Sequence, residues 1–202
     1  QDIAYPVSML CRCMACPTEE LFDDGLHVLL YLHRTRELGL TFERDTSPLV
    51  GRSDSDWGEK HSVTGFAFKF ASAVVSWASK KQTSVALSSC EAEIMAASEA
   101  AKEAVYLGDF LHELGMGSGE PIELGVDNTG ARDLAYNPEH HQRTKHINRR
   151  HFFIRECVEN FQIVVPFVPT AEPYADLFTK ALAPGPFFHH RNTLMNIPAG
   201  ST

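Results

Sequence analysis

The sequence predicts an α/β protein organised on a layered sheet of mixed direction, with the element order βββαβααβα. Three observations carry this reading. Short β-type runs follow one another from Leu40 to Trp77, a single long helix starts at Ser88, and beyond it strand-like and helix-like stretches alternate.

Residues 1–38 read as two helices. Thr18, after Pro17, caps the second, which has an apolar side of Phe22, Leu26, Leu29 and Leu30 and ends at Gly39. The pair is a small subdomain or the tail of an upstream domain. Residues 48–57 form the first strand, and period-2 alternation puts Asp54 and Asp56 on one face. Residues 64–70 and 73–77 are two more strands, joined by a tight connection at Ala71 and Ser72.

Ser88 and Glu91 make the S-x-x-E capping box that opens the long helix. At about 100° per residue, Ala97, Ala100, Ala104, Leu107, Leu111 and Leu114 fall within roughly 60° of Glu93. Glu93 therefore heads the apolar stripe, while Glu91, Glu99 and Glu103 read as solvent charges. A carboxylate at the head of a buried stripe is costly to desolvate unless something pairs with it, and a metal ion or a second site group is implied.

Residues 122–126 form the fourth strand, ending in Asp127, and Asn128-Thr129 starts a short helix that stops before Asn137-Pro138. Residues 147–160 are a further helix. Residues 162–168 contain Pro166, which cannot donate to a ladder, so this strand is an edge or carries a bulge. Residues 173–180 open a closing helix, and the tail after Pro184 has no clear order.

Composition bounds the function. At 202 residues with 44% hydrophobic and 22% charged, the chain suits one soluble globular domain with an appendage. It begins at Gln1 without a signal-peptide pattern and reads as a segment cut from a longer polypeptide. The longest apolar run, residues 28–32, is far too short for a bilayer, so no membrane association is expected. Five cysteines, with Cys11, Cys13 and Cys16 close together but no zinc-like spacing, read as reduced thiols of a reducing compartment. A net charge of −8 disfavours non-specific nucleic-acid binding unless charge is locally concentrated. It is so concentrated in Arg143, Lys145, Arg149, Arg150 and Arg155, a stretch without an acid. On the helix from Ile147, Ile154, Val158 and Phe161 share the buried side and Arg149 points away. His140, His141, His146 and His151 read as part of this nucleic-acid-facing loop rather than as metal ligands, and Trp57 and Trp77 as core residues.

Four acids recur at element ends: Asp54, Glu93, Asp127 and Asp176. Hard oxygen ligands without thiol or imidazole partners suit magnesium, and two such ions support phosphodiester hydrolysis. Alternation alone permits Asp54 or Asp56 as the first ligand.

Over residues 49–182 the sequence resembles the ribonuclease H domain of copia-type LTR retrotransposon polyproteins. The carrying motifs are SDSDW (53–57), TG (64–65), SWASKKQ (76–82), VALSS (85–89), EAE (91–93), VDN (126–128), RTKHI (143–147), HFFIR (151–155), VPT (168–170), AD (175–176) and TK (179–180). Upstream, DIAY (2–5), PTEE (17–20) and LYL (30–32) resemble the end of the preceding reverse transcriptase domain.

The resemblance implies a ribonuclease H-like mixed five-stranded sheet flanked by helices, with an N-terminal helical appendage. It divides the chain into a reverse transcriptase or connection tail (1–40), a ribonuclease H-like domain (41–184) and a C-terminal tail (185–202). It assigns Asp54, Glu93, Asp127 and Asp176 as catalytic metal ligands for two magnesium ions, for which manganese can substitute. It implies endonucleolytic cleavage of the RNA strand of RNA–DNA hybrids during reverse transcription, with the polymerase domain of the same polyprotein as partner, in a cytoplasmic retroelement particle. The alternative is a catalytically silent connection module that only grips the hybrid. The mobile histidine that cellular ribonucleases H carry before the last aspartate has no counterpart in residues 168–175. Asn148 stands where such elements commonly have an acid, and Ser62-Val63 departs from the usual Ser-Thr.

Overall fold

The structure, a computed structural model, describes residues 1–44, 47–58, 61–136, 148–169 and 174–198. Two helices, α1 (Ala4–Cys11) and α2 (Glu19–Arg34), precede a hairpin-rich segment of β1 (Val50–Asp56), β2 (Val63–Phe70) and β3 (Ala73–Lys81). The long helix α3 (Ser89–Glu113) leads to β4 (Ile122–Gly125), α4 (Thr129–Tyr136), α5 (Asn148–Glu159) and β5 (Ile163–Val164). A 3₁₀ turn (Tyr174–Phe178) and α6 (Pro184–Met195) follow.

The five strands lie in the order β3-β2-β1-β4-β5. β1 pairs antiparallel with β2, and β2 with β3, whereas β1–β4 and β4–β5 are parallel, which is the mixed sheet expected. The β2–β3 connection is tight because Ala71 (φ 51°) and Ser72 (φ 69°) both turn left-handed, the twist that closes a two-residue hairpin. Pro166 acts as anticipated: β5 is a short edge strand, and the Pro166 carbonyl accepts from Val126 N at 3.1 Å.

Alternation along β2 divides the core between two faces. Phe66 and Phe68 join Leu124, Val126 and Ile163 against the alanines of α3 and Ile154 of α5. Ala67 and Val74 face Tyr174, Leu177 and Phe178 of the 3₁₀ turn and Leu194 of α6. Ala97, Ala100 and Ala104 are buried as the stripe predicts, but Leu114, the C-cap, is exposed.

Several expectations are corrected. The closing helix is only a 3₁₀ turn, Tyr174–Phe178, and it ends where the N–H groups of Thr179 and Lys180 both return to the Asp176 carbonyl (3.2 Å each) and the Thr179 hydroxyl donates to Asp54. The tail is ordered through α6, which starts with Pro184 in its first turn, ends on Asn196 in the left-handed conformation, and buries His190, Arg191, Leu194 and Met195. Proline is tolerated in a first helical turn, and tertiary packing does the rest. Phe187 packs edge-on to Tyr31 of α2 at 5.8 Å, and Thr41 N donates to Met195 O at 3.0 Å. Trp57 and Trp77 are exposed rather than core, Trp77 because β3 is an edge strand and Trp57 because it lies past the end of β1. Phe161 is exposed too, since it sits beyond α5 at φ 57°. Thr18 caps α2 by accepting from Leu21 N at 3.3 Å, yet Phe22, Leu26, Leu29 and Leu30 remain exposed. No helix among the described residues is long and apolar enough to cross a membrane.

Candidate metal centre

Parallel pairing of β1 and β4 begins the site. Arg52 stands opposite Gly125, so the same register carried two residues on sets Asp54 beside Asp127 at the carboxyl ends of adjacent strands. Open α/β sheets place their ligands at such ends. The capping box starts α3 just above: Ser88 Oγ accepts from Glu91 N at 3.1 Å, and the first turn aims Glu93 at the same spot. One carboxylate oxygen each from Asp54, Glu93 and Asp127 lie within 4.8 Å of one another.

Asp54 is 3% exposed and Glu93 6% exposed, while Asp127 is partly buried. Asp56 is exposed, at the last residue of β1. Of the two aspartates that alternation left open, the structure brings Asp54 into the cluster.

Asp176, 8% exposed, approaches from the 3₁₀ turn. Its carboxyl neighbours that of Asp54 and adds to burial in pushing Asp54 up, and Lys180 bridges the two, its Nζ 3.0 Å from Asp176 Oδ2 and 3.9 Å from Asp54 Oδ2. The turn can come this close because β2 carries Gly65: a Cβ there would sit 2.5 Å from Thr179 Cγ2 and 2.9 Å from Phe178 Cβ.

Hydrogen bonds hold the acids unevenly. Ser55 donates to Glu93 Oε1 from both its backbone N–H (3.2 Å) and its hydroxyl (2.8 Å). Glu93 Oε2 and Asp176 Oδ1 are buried without a partner. Burial first, then the charges of Asp54 and Asp127, push the Glu93 carboxyl up to about 8 against the opposing Ser55 bonds. Burial also raises Asp54, although Thr179 and Lys180 pull it down, and raises Asp127, with repulsion from Asp54 adding. Burial depresses the Lys180 ammonium, but attraction to Asp54, Asp176 and Asp127 outweighs it and leaves the group raised.

Three hard-oxygen donors short of counter-charge, with a buried carboxylate oxygen unsatisfied, fit a small divalent cation. Orphaned buried polar atoms of this kind demand a partner.

Glu91 departs from expectation. It is buried, and its Oε2 accepts from Leu87 N at 2.7 Å. Arg143 and Lys145 lie outside the described residues, as do His140, His141 and His146, and so do the side chains of Arg149 and His151. Arg150 is partly exposed on α5. Arg155 has a partner acid one turn on: its Nε is 3.3 Å from Glu159 Oε1, off hydrogen-bond alignment, and its guanidinium lies 5.0 Å over the Phe152 ring. Ser55, Thr179 and Lys180 are site residues to which the sequence assigned no site role, although they lie in the SDSDW and TK motifs and the i+3 and i+4 spacing from Asp176 was visible.

No family model matches the chain. The retrovirus-related Pol polyprotein from transposon TNT 1-94 of Nicotiana tabacum is 37% identical over 185 residues, 90% of this chain and 14% of that protein. The corresponding polyprotein from transposon RE1 of Arabidopsis thaliana is 36% identical over 187 residues, 90% of this chain and 13% of its own length. The chain spans about a seventh of the length of these two polyproteins. Among solved structures, the N-terminal RNase H domain of a Mycobacterium tuberculosis protein aligns with a TM-score of 0.51 at 12% identity, covering 72% of this chain and 97% of that one. LC11-RNase H1, solved with an RNA/DNA hybrid, aligns with a TM-score of 0.50 at 12% identity, covering 65% and 93%.

Proposed function

We infer that this chain, which belongs with the Pol polyproteins of copia-type retrotransposons and has the ribonuclease H fold, hydrolyses the RNA strand of RNA–DNA hybrids during reverse transcription. The observation that carries the reading is the convergence of Asp54, Glu93 and Asp127 at the carboxyl ends of β1 and β4, with Asp176 joined to them through Lys180.

Asp54 and Asp127 would hold two magnesium ions, Glu93 would ligate one of them, and Asp176 would complete the shell of the other, with manganese as a substitute. The ions, when bound, activate water and neutralise charge at the phosphate. Glu93 is fixed in its rotamer by Ser55 and is suited to orienting the 2′-hydroxyl, the group that distinguishes RNA from DNA. Thr179 steadies Asp54 by donating its hydroxyl to the carboxylate. Arg143, Lys145, Arg149, Arg150 and Arg155 would grip the phosphate backbone, a local basic stretch in a chain of net charge −8.

Residues 1–40 would be the end of the reverse transcriptase region, 41–184 the nuclease domain and 185–202 its C-terminal extension, acting inside a cytoplasmic retroelement particle. Labelled hybrid, duplex RNA and duplex DNA, each with and without magnesium, test the function. Magnesium-dependent cuts confined to the RNA of the hybrid are expected. Hybrid binding without cleavage would favour the silent connection module instead.

A further inference from the structure

Lys180 is held beside the acids by more than its own charge. Its backbone N–H returns to the Asp176 carbonyl at 3.2 Å, its neighbour Thr179 donates to Asp54, and Gly65 leaves the room that seats this turn on β2. The ammonium lies 3.0 Å from Asp176 and 3.9 Å from Asp54, and the side chain as a whole is 40% exposed. Among the described residues, no other lysine or arginine has an ion pair to Asp54 or Asp176. Glu93 Oε2 and Asp176 Oδ1, both on buried residues, remain without hydrogen-bond partners.

We propose that Lys180 is a positioning residue that stands in for the divalent cation: its ammonium holds Asp54 and Asp176 together in the metal-free protein, and an arriving cation must displace it. The inference rests on the metal-centre reading above and adds a consequence that reading does not require. Carboxylates packed this closely repel one another unless a positive charge lies among them. Removing the ammonium therefore weakens the metal-free fold and at the same time removes a competitor for the cation.

The test is a calorimetric titration of magnesium into the metal-stripped full chain, together with thermal unfolding in chelator, for the wild type, Lys180→Met and Lys180→Arg. Lys180→Met should bind magnesium at least about tenfold more tightly, the size of effect that one unit charge at this range has on a neighbouring ionisation. It should also melt earlier in chelator and recover in saturating magnesium. Lys180→Arg keeps the charge and should bind as the wild type does. If the wild type and Lys180→Met bind magnesium equally, or the variant binds more weakly, the inference falls and the metal centre stands. If neither the wild type nor Lys180→Met binds magnesium at millimolar concentration, both fall.

Discussion

Replacing Glu93 with glutamine should stabilise the metal-free protein, by an amount that depends on pH. The side-chain amide carbonyl introduced by Glu93→Gln can still accept from the Ser55 N–H and hydroxyl, so shape and hydrogen bonds are kept while the charge is lost. In the folded wild type the carboxyl is raised from 4.5 to about 8 by burial, Asp54 and Asp127. Between those values the folded state keeps a proton that the unfolded chain has released, so wild-type stability falls as pH rises across that window. At pH 7 the gap is worth about 3 kcal/mol, at pH 4.5 and below close to nothing, and it levels off near 5 kcal/mol above pH 8. Asp54 and Asp127 are common to both proteins and leave the difference curve dominated by Glu93. Urea unfolding in chelator at pH 5 and pH 8 measures it. The glutamine variant should gain over the wild type mainly at pH 8, and saturating magnesium should reverse the order, since the variant lacks a ligand charge. A difference independent of pH, or a glutamine variant less stable throughout, would refute the electrostatic account of the cluster.

Glu91→Ala should cost about 1 kcal/mol by unbinding Leu87 N at the helix start, without altering magnesium affinity by calorimetry. Ala71→Gly or Ser72→Gly should each raise the urea midpoint, by about 1 kcal/mol of stability, because both positions are left-handed. Lys145→Ala combined with Arg149→Ala should weaken hybrid binding and lower the salt slope by nearly 2 in a titration, with saturating cleavage little changed.

The strands and the long helix were legible because their apolar periods are strong and the helix cap explicit, and Glu93 was placed by its helical face together with the resemblance in the EAE motif. Asp54 could not be separated from Asp56 by alternation, since both share a face. What separates them is the end of β1 at Asp56 and the turn carrying Thr179 and Lys180, a contact across more than a hundred residues of chain. Glu91 was misjudged because a helical wheel omits the chain that precedes the helix: residues 82–88 fold back so that Ala86 packs with Ala92 and Met95, covering that side. α6 was hidden by Pro184, Gly185 and Pro186, which locally resemble a loop. Its order comes from Leu194 docking under the 3₁₀ turn and Phe187 meeting Tyr31. Trp77 looked like core because no local feature marks β3 as an edge strand.

The central claim is that the buried carboxylate cluster cleaves RNA, and it is tested most directly by two substitutions in the same strand. Magnesium-dependent cleavage of end-labelled RNA in a hybrid should be lost in Asp54→Asn and retained within several-fold in Asp56→Asn. Retained cleavage in Asp54→Asn, or loss confined to Asp56→Asn, would contradict it.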